Sequence, residues 1–240
     1  MTALVRKATS ADLDAIVALD HLRYGDVQNQ PIDDAQRMFT ARLRNCGGYF
    51  WVAEHEGEMV GLLSAQRSRY SPDDFESWEK CTNEGTFNGT GDPTSAIVYV
   101  AALTVSPKGS RADATDTLMA SLAAQATIDG VKTILFSGRM PGFHRYASRM
   151  SAEEYYSATR NHGGTEVALD PQIHFYEAIG VKRHRLVENG FAADRESCGY
   201  AVLFTFDLPF YGWPLPRVWG AVARFIAERP KLVSWIAKTR

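Results

Sequence analysis

Apolar and polar positions alternate with two different periods along this chain of 240 residues, and the changes of period mark out its elements. Residues 4–9 alternate as a short strand does. Ser10 then offers an N-cap, with Asp12 in the first turn, to a helix carrying Leu13, Ile16, Val17 and Leu19. A second helix is expected from Pro31 to about Asn45, with Asp33 and Asp34 in its first turn and Gly47 and Gly48 stopping it. Residues 49–66, YFWVAEHEGEMVGLLSAQ, read as a hairpin of two apolar strands joined through the polar turn His55 to Glu58. A strand, AIVYVAALTV, ends at Val105, and a helix is expected from about Arg111 to Asp129. The strand VKTILFSG follows at 131–138. Asp170 and Pro171 open another helix, which Gly180 ends, and strands at 182–188 and 199–207 complete the core. The order β-α-α-β-β-β-α-β-α-β-β predicts a mixed sheet with helices on its faces, an α/β (α+β) fold.

Two stretches interrupt this pattern. The first, about 70–95, is polar and too long for a plain connection; it carries Asp73, Asp74, Glu76, Glu79, Glu84 and Asp92 against Lys80. That balance would attract a cationic amine. The second, 139–169, is rich in Arg, His and Tyr, which suits an anionic acceptor or a phosphate group. It contains an expected helix at 151–160, opened by the capping pattern Ser151-Ala-Glu-Glu154. The bland reading of both is a pair of solvated loops.

Composition narrows the classes. Hydrophobic residues make up 45% and charged residues 22%, an ordinary globular balance. A formal net charge of -2 gives no reason to expect nucleic acid as a partner. Cys46, Cys81 and Cys198 are scattered and lack CxxC spacing, so free thiols in a reducing cytoplasm are expected, with neither disulfides nor a metal site. Charges break the first residues before an apolar run develops, so no signal peptide is expected, and no apolar segment is long enough to span a bilayer.

The decisive stretch is VSPKGSRADATDTLM, 105–119, where a strand hands over to a helix. A glycine-rich loop at such a place cradles phosphate on its backbone N–H groups, helped by the helix dipole. Here only Gly109 is present. Ser110-Arg-Ala-Asp113 is a capping pattern in its own right, and a carboxylate at Asp113 competes with phosphate, while Lys108 and Arg111 supply positive charge.

Three pieces in order, WVAEHEGEMVGLL, ALTVSPKGSRADATDTLM and FYEAIGV, resemble the GNAT superfamily of N-acetyltransferases. The resemblance covers roughly 1–207. The family pattern V-x-P-x-x-(Q/R)-G-x-G-x-(G/A)-x-x-L is met at Val105, Pro107 and Leu118; Ser110 takes the Gln/Arg place, and Arg111, Asp113 and Thr115 take the glycine places. Phe175, Tyr176 and Gly180 keep the second pattern, with Val181 in its last place. The Asn expected before that helix is replaced by Leu169-Asp170. The segments RMPGFHRYA, DPQIHF and ESCGYAVLF are also similar to a bacterial GNAT subgroup whose members include fusions to carbon–nitrogen hydrolase domains.

The resemblance implies a mostly antiparallel, twisted sheet and an enzyme that moves an acetyl group from acetyl-CoA to a small-molecule amine in a ternary complex. It implies that Leu103, Thr104 and Val105 orient the thioester. Main-chain donors of Ser110, Arg111, Ala112, Asp113, Ala114 and Thr115 would hold the pyrophosphate. Tyr176 would protonate the leaving thiolate; the alternative for it is a half-buried packing tyrosine. Glu84, His144 and His174 are candidate substrate-side groups and bases, each with a plain structural alternative. Two other readings stay open: a non-catalytic binding or regulatory module with a degenerate loop, and a membrane-surface acyltransferase using longer acyl-CoA.

The extension 208–240 lies outside the resemblance. Trp213, Trp219, Phe225, Ile226, Leu232 and Trp235 interleave with six basic residues, and Pro230 divides the segment. Such a helix suits a membrane interface; its apolar side equally suits docking on the domain or on a second subunit as a homodimer contact.

Overall fold

A computed structural model describes residues 2–28 and 31–227; the expected end of the tail, with Pro230, Leu232 and Trp235, lies outside these. The chain begins with β1 (Leu4–Lys7), helices α1 (Leu13–Gln28) and α2 (Ile32–Asn45), and the hairpin β2 (Phe50–His55) and β3 (Glu58–Arg67). Next come α3 (Trp78–Thr82), β4 (Ile97–Val105), α4 (Pro107–Arg111), α5 (Ala114–Ile128) and β5 (Thr133–Gly138). Helix α6 (Ala152–Ser157), β6 (Thr159–His162), β7 (Thr165–Ala168) and α7 (Pro171–Ala178) follow. β8 (Lys182–Val187), β9 (Ala201–Asp207) and α8 (Pro216–Ala227) complete the described chain.

Seven strands form one sheet in the order β1-β2-β3-β4-β5-β9-β8, antiparallel except for the parallel pair β4 and β5. The β2–β3 turn uses positive φ at Glu56 and Gly57, the conformation whose twist matches the flanking strands. Alternation then divides the core. Trp51, Leu63, Val100, Phe136 and Phe204 face α5 and α7, whereas Phe50, Val52 and Leu62 face α1 and α2. Tyr99, Leu135 and Leu203 look to the same side as α1 and α2, but are covered there by Phe75 and Cys81 of the first insertion.

Several boundaries depart from the sequence expectations. The first helix starts from Thr9: a short 3-10 turn, Ser10–Asp12, carries a capping box between Thr9 and Asp12 and runs into α1. The helix expected from Arg111 is two helices, α4 and α5, with a break at Ala112 and Asp113. The Ser110–Asp113 capping box does not form, because Ser110 lies within α4 and its hydroxyl bonds back to the carbonyl of Ser106. The Ser151–Glu154 box does form, yet its helix ends at Ser157 and gives way to the exposed ribbon β6–β7.

The first insertion is built into the fold and is no solvated loop. Gln66 donates to the carbonyl of Cys81 and to Thr90, and Arg185 donates to the carbonyls of Pro72 and Phe75. The second is anchored by Asp170, which is 0% exposed, caps α7 at the amides of Gln172 and Ile173, and accepts from the Tyr155 hydroxyl. Helix α8 docks on α5: a Cβ on Gly220 would stand 2.6 Å from Ile128 Cγ1 and 3.0 Å from the carbonyl of Ala124. No helix among the described residues is long and apolar enough to cross a membrane.

Candidate active site

The site begins with a mismatch between β3 and β4. Ser64 pairs with Ala102 and Ala65 with Val100, so Ala101 is an extra residue in β4, a β-bulge. The parallel pairing of β4 with β5 stops at the same level, at Val100 and Phe136. Beyond it β4 keeps only β3 as a partner and β5 keeps only β9, so the two strands diverge. The backbone edge of residues 102–105 facing β5 has no strand partner, which suits main-chain pairing with an extended ligand.

A cavity of about 520 Å³ occupies this divergence. Asp20 and Tyr24 of α1, with Met38 and Arg42 of α2, line it on one side of the sheet. Met119 of α5, with Gln172 and Tyr176 of α7, line it on the other. It therefore connects the two faces through the sheet. Trp78, Glu79 and Glu84 close it from the first insertion, and Arg139 and Asp194 border it at the far end of β5.

Of the expected residues, Leu103, Tyr176 and Glu84 line this cavity. Tyr176 sits with its ring centroid 4.9 Å from both Phe136 and Phe204, and its hydroxyl accepts from Gln172 Nε2 at 3.4 Å. Burial raises its pKa against the opposing Gln172 bond, so the phenol stays protonated. Gly138 makes room for it, since a Cβ there would stand 3.2 Å from the Tyr176 ring and 2.7 Å from that of Phe204. Thr104 points to the α1 side and is fully buried, its hydroxyl donating to Asp20 Oδ1 at 3.1 Å. His144 and His174 are not among the lining residues. His144 is exposed and its Nδ1 meets the carbonyl of Pro141 at 2.9 Å, while the ring of His174 lies 6.0 Å from that of His162.

The turn at 105–115 resolves into two parts. Gly109 serves packing: a Cβ there would lie 2.3 Å from the carbonyl oxygen of Val60, so glycine lets α4 cross β3. Asp113, at one of the family's glycine places, adopts φ 55, the left-handed conformation that glycine usually supplies. Its side chain makes no cap bond, and the first-turn amides of α5 have no intrahelical acceptors. Opposing this, Asp116 stands in the same turn with its pKa raised, first by burial and then by Asp113. Lys108 does not lend its charge to this turn, because it is paired with Glu56 and Glu58 at 3.0 and 3.1 Å.

The residues missing from the sequence reading are Asp20, Tyr24 and Arg42; Glu79, read there as one of the acids of the first insertion, also lines the cavity. Asp20 is 6% exposed and burial raises its pKa, opposed by Arg42 and the Thr104 bond. Tyr24 is shifted upward by burial and then by the nearby Tyr176, which places two phenols near one another at the cavity. Arg42 is 1% exposed, its Nε donating to the carbonyl of Gly85 at 2.6 Å and its Nη1 to Ser64 Oγ at 3.1 Å.

No family model matches the chain. It is 28% identical over 158 residues to the probable hydrolase YhcX of Bacillus subtilis (strain 168), a match covering 65% of this chain and 30% of that relative, so this chain spans under a third of it. It is 22% identical over 208 residues to the uncharacterized N-acetyltransferase YkwB of the same organism, covering 86% of this chain and 89% of that one. Among solved structures, the loading GNATL domain of CurA from Lyngbya majuscula aligns with a TM-score of 0.68 and 21% identity, over 87% of this chain and 98% of that one. The GphF GNAT-like decarboxylase in complex with isobutyryl-CoA aligns with a TM-score of 0.65 and 23% identity, over 85% and 99%. The strand order, the divergence of β4 from β5 at the Ala101 bulge and these likenesses agree: the chain has the GNAT fold.

Proposed function

We propose that the protein is an N-acyltransferase that moves an acetyl group from acetyl-CoA to the amine of a small molecule by direct attack in a ternary complex. The observation that carries this reading is the cavity between diverging β4 and β5, open to both faces of the sheet, with Tyr176 in its wall. The similarity to a structure holding isobutyryl-CoA supports a CoA thioester as donor. Residues 102–105 offer the unpartnered strand edge for the pantetheine arm, and the amides at the start of α5 offer donors for the diphosphate. Asp20 is the general base, a cavity carboxylate whose pKa burial raises above its ordinary value. The amine nitrogen bonds to the thioester carbon as the carbon–sulfur bond breaks; Asp20 takes the proton leaving nitrogen and Tyr176 gives one to sulfur. Holding the two reactants together in one cavity supplies much of the rate gain.

The test is a thermal shift with acetyl-CoA and with free CoA, since a ligand bound to the folded state alone raises the melting temperature. A rise with both supports the reading. No rise at millimolar ligand favours a non-catalytic GNAT-fold module, a second reading motivated by the carboxylates of Asp113 and Asp116 beside the diphosphate position. A rise with long-chain acyl-CoA alone favours a membrane-surface acyltransferase, for which Leu215, just before α8, and Val218, in its first turn, are 70% and 54% exposed.

A further inference from the structure

Arg42 is a charge buried among neutral partners. Besides Gly85 and Ser64, its Nη2 lies 3.4 Å from the sulfur of Met38, and its guanidinium carbon lies 4.8 and 5.2 Å from the rings of Phe39 and Phe87. A guanidinium carries five N–H donors, and these bonds use three. Among the described residues no carboxylate stands within ion-pair distance of it. Burial draws its pKa down to about 10, which leaves it charged at neutral pH. Burying a cation without a carboxylate partner is costly, and here only neutral acceptors and aromatic rings offset that cost. Gly85, with φ 78, is shaped around it: a Cβ there would stand 2.6 Å from Nη2.

Asp20 is the opposite charge whose field Arg42 feels most, yet the two do not pair. Both are buried in the wall of the same cavity, on the α1 and α2 side of the sheet. Asp20 is tied through Thr104 to β4, beside the open strand edge, whereas Arg42 is tied to β3 through Ser64 and to the first insertion through Gly85. The cavity wall thus sets a carboxylate, Asp20, beside β4 and a guanidinium, Arg42, toward the insertion, where Glu79 and Glu84 also stand. A simple amine satisfies only Asp20, and a simple acid only Arg42.

We propose that the acceptor is an amino acid, or an equivalent small zwitterion, which sets its carboxylate on Arg42 and its amino group beside Asp20. This names the substrate class within the N-acyltransferase reading and rests on it. The amino nitrogen then lies next to Leu103 on β4, where the thioester carbon would be, and the carboxylate points away from the reaction. Glu79 and Glu84 at the insertion wall meet the side chain.

Isothermal titration of the full chain saturated with free CoA, using the standard protein amino acids and their decarboxylated amines, tests this. One or more amino acids should bind at least tenfold more tightly than the matching amine, and Arg42→Gln should erase that difference while leaving CoA affinity unchanged. Where Arg42→Gln fails to fold, the comparison of acid and amine on the unaltered protein decides the matter alone. CoA binding with no amino acid bound, or an amine bound as tightly as its amino acid, overturns the proposal. So does Arg42-dependent consumption of malonyl-CoA without any acceptor, which would place the carboxylate on the acyl group. Amino-acid binding without CoA binding upholds the zwitterion site and overturns the transferase reading instead.

Discussion

The indole Nε1–H of Trp78 donates to the backbone carbonyl of Ala101 at 2.9 Å. Ala101 is the bulged residue at which β4 leaves β5, so an insertion side chain holds the carbonyl that the sheet ladder cannot use. Trp78→Phe keeps most of the apolar contact and removes the donor. Leaving that carbonyl unmatched should cost about 1–3 kcal/mol, and for a chain of this size each kcal/mol lowers the melting temperature by about 2–4 °C. The same change should raise the KM for acyl-CoA several-fold, because the splayed strand is less fixed. A normal KM with an unchanged melting temperature would show that the bulge stands without Trp78.

Tyr176 has an upward-shifted pKa because it is buried, and so holds its proton at neutral pH. Proton transfer by a placed side chain contributes about 10²–10⁴-fold, so Tyr176→Phe should lower turnover by about 100-fold. Affinity for acetyl-CoA, measured by titration, should change less than threefold. Turnover equal to that of the parent protein would transfer the role to Tyr24, the other phenol at the cavity.

Much of the fold was legible because period and punctuation agree for its main elements. Hairpin β2–β3 and helices α2 and α7 lie within a few residues of their expected ends, and the family pattern around Val105 fixed the topology between them. What escaped were polar residues on apolar stripes. Ile16, Asp20 and Tyr24 follow one another at intervals of four on α1, and Ala35, Met38, Phe39 and Arg42 make one stripe on α2. A charge on such a stripe is the signal that could have found the cavity. Ranking candidates by residue type favoured His144 and His174, which share no wall with it. Nor does sequence tell a glycine kept for close approach from one kept for phosphate, which is why Gly109 suggested more than it does.

The two halves of the turn predict opposite mutational effects. Gly109→Ala drives a methyl into the carbonyl of Val60 and should destabilise the protein by about 1–3 kcal/mol in chemical denaturation. Asp113→Gly relieves a left-handed aspartate and removes a negative charge from the start of α5. Charge at a helix N-terminus is worth about 0.3–1 kcal/mol, so CoA should bind about two- to fivefold more tightly. Unchanged or weaker CoA binding in the Asp113→Gly protein would mean that the diphosphate does not rest on these amides.

Acid should weaken the N-terminal corner. Asp12 is held well below the usual carboxylate range, chiefly by Arg6, which donates to both its oxygens at 2.8 and 2.6 Å, with the Thr9 amide and hydroxyl adding to this. A depressed folded-state pKa stabilises above the unfolded value of about 3.9 and loses that contribution as pH falls toward the folded one. Arg6 is partly in solvent, which screens the pair, so the effect at neutral pH should be about 1 kcal/mol. Asp12→Asn should therefore be less stable than the parent at pH 7, with the gap closing below about pH 4. A gap independent of pH would assign the loss to the cap alone.

The tail should be part of the folded domain up to α8. Gly220 and Ala223 bring α8 against α5, and where the chain turns into it Phe210 stacks on Trp219 at 4.8 Å, with Trp213 edge-on to both at 5.6 and 4.6 Å. A chain ending at Asp207 uncovers the Ala124 and Ile128 side of α5, so its melting temperature should drop by at least 5 °C. Gly220→Val, which forces the helices apart, should give part of that drop with the tail still present. Co-sedimentation with anionic vesicles separates the tail's two roles: equal behaviour of the full and shortened chains would leave α8 as a buttress for α5, and binding by the full chain alone would add the membrane surface through Leu215 and Val218. A shortened chain that melts with the parent would show that the α5–α8 contact carries no stability.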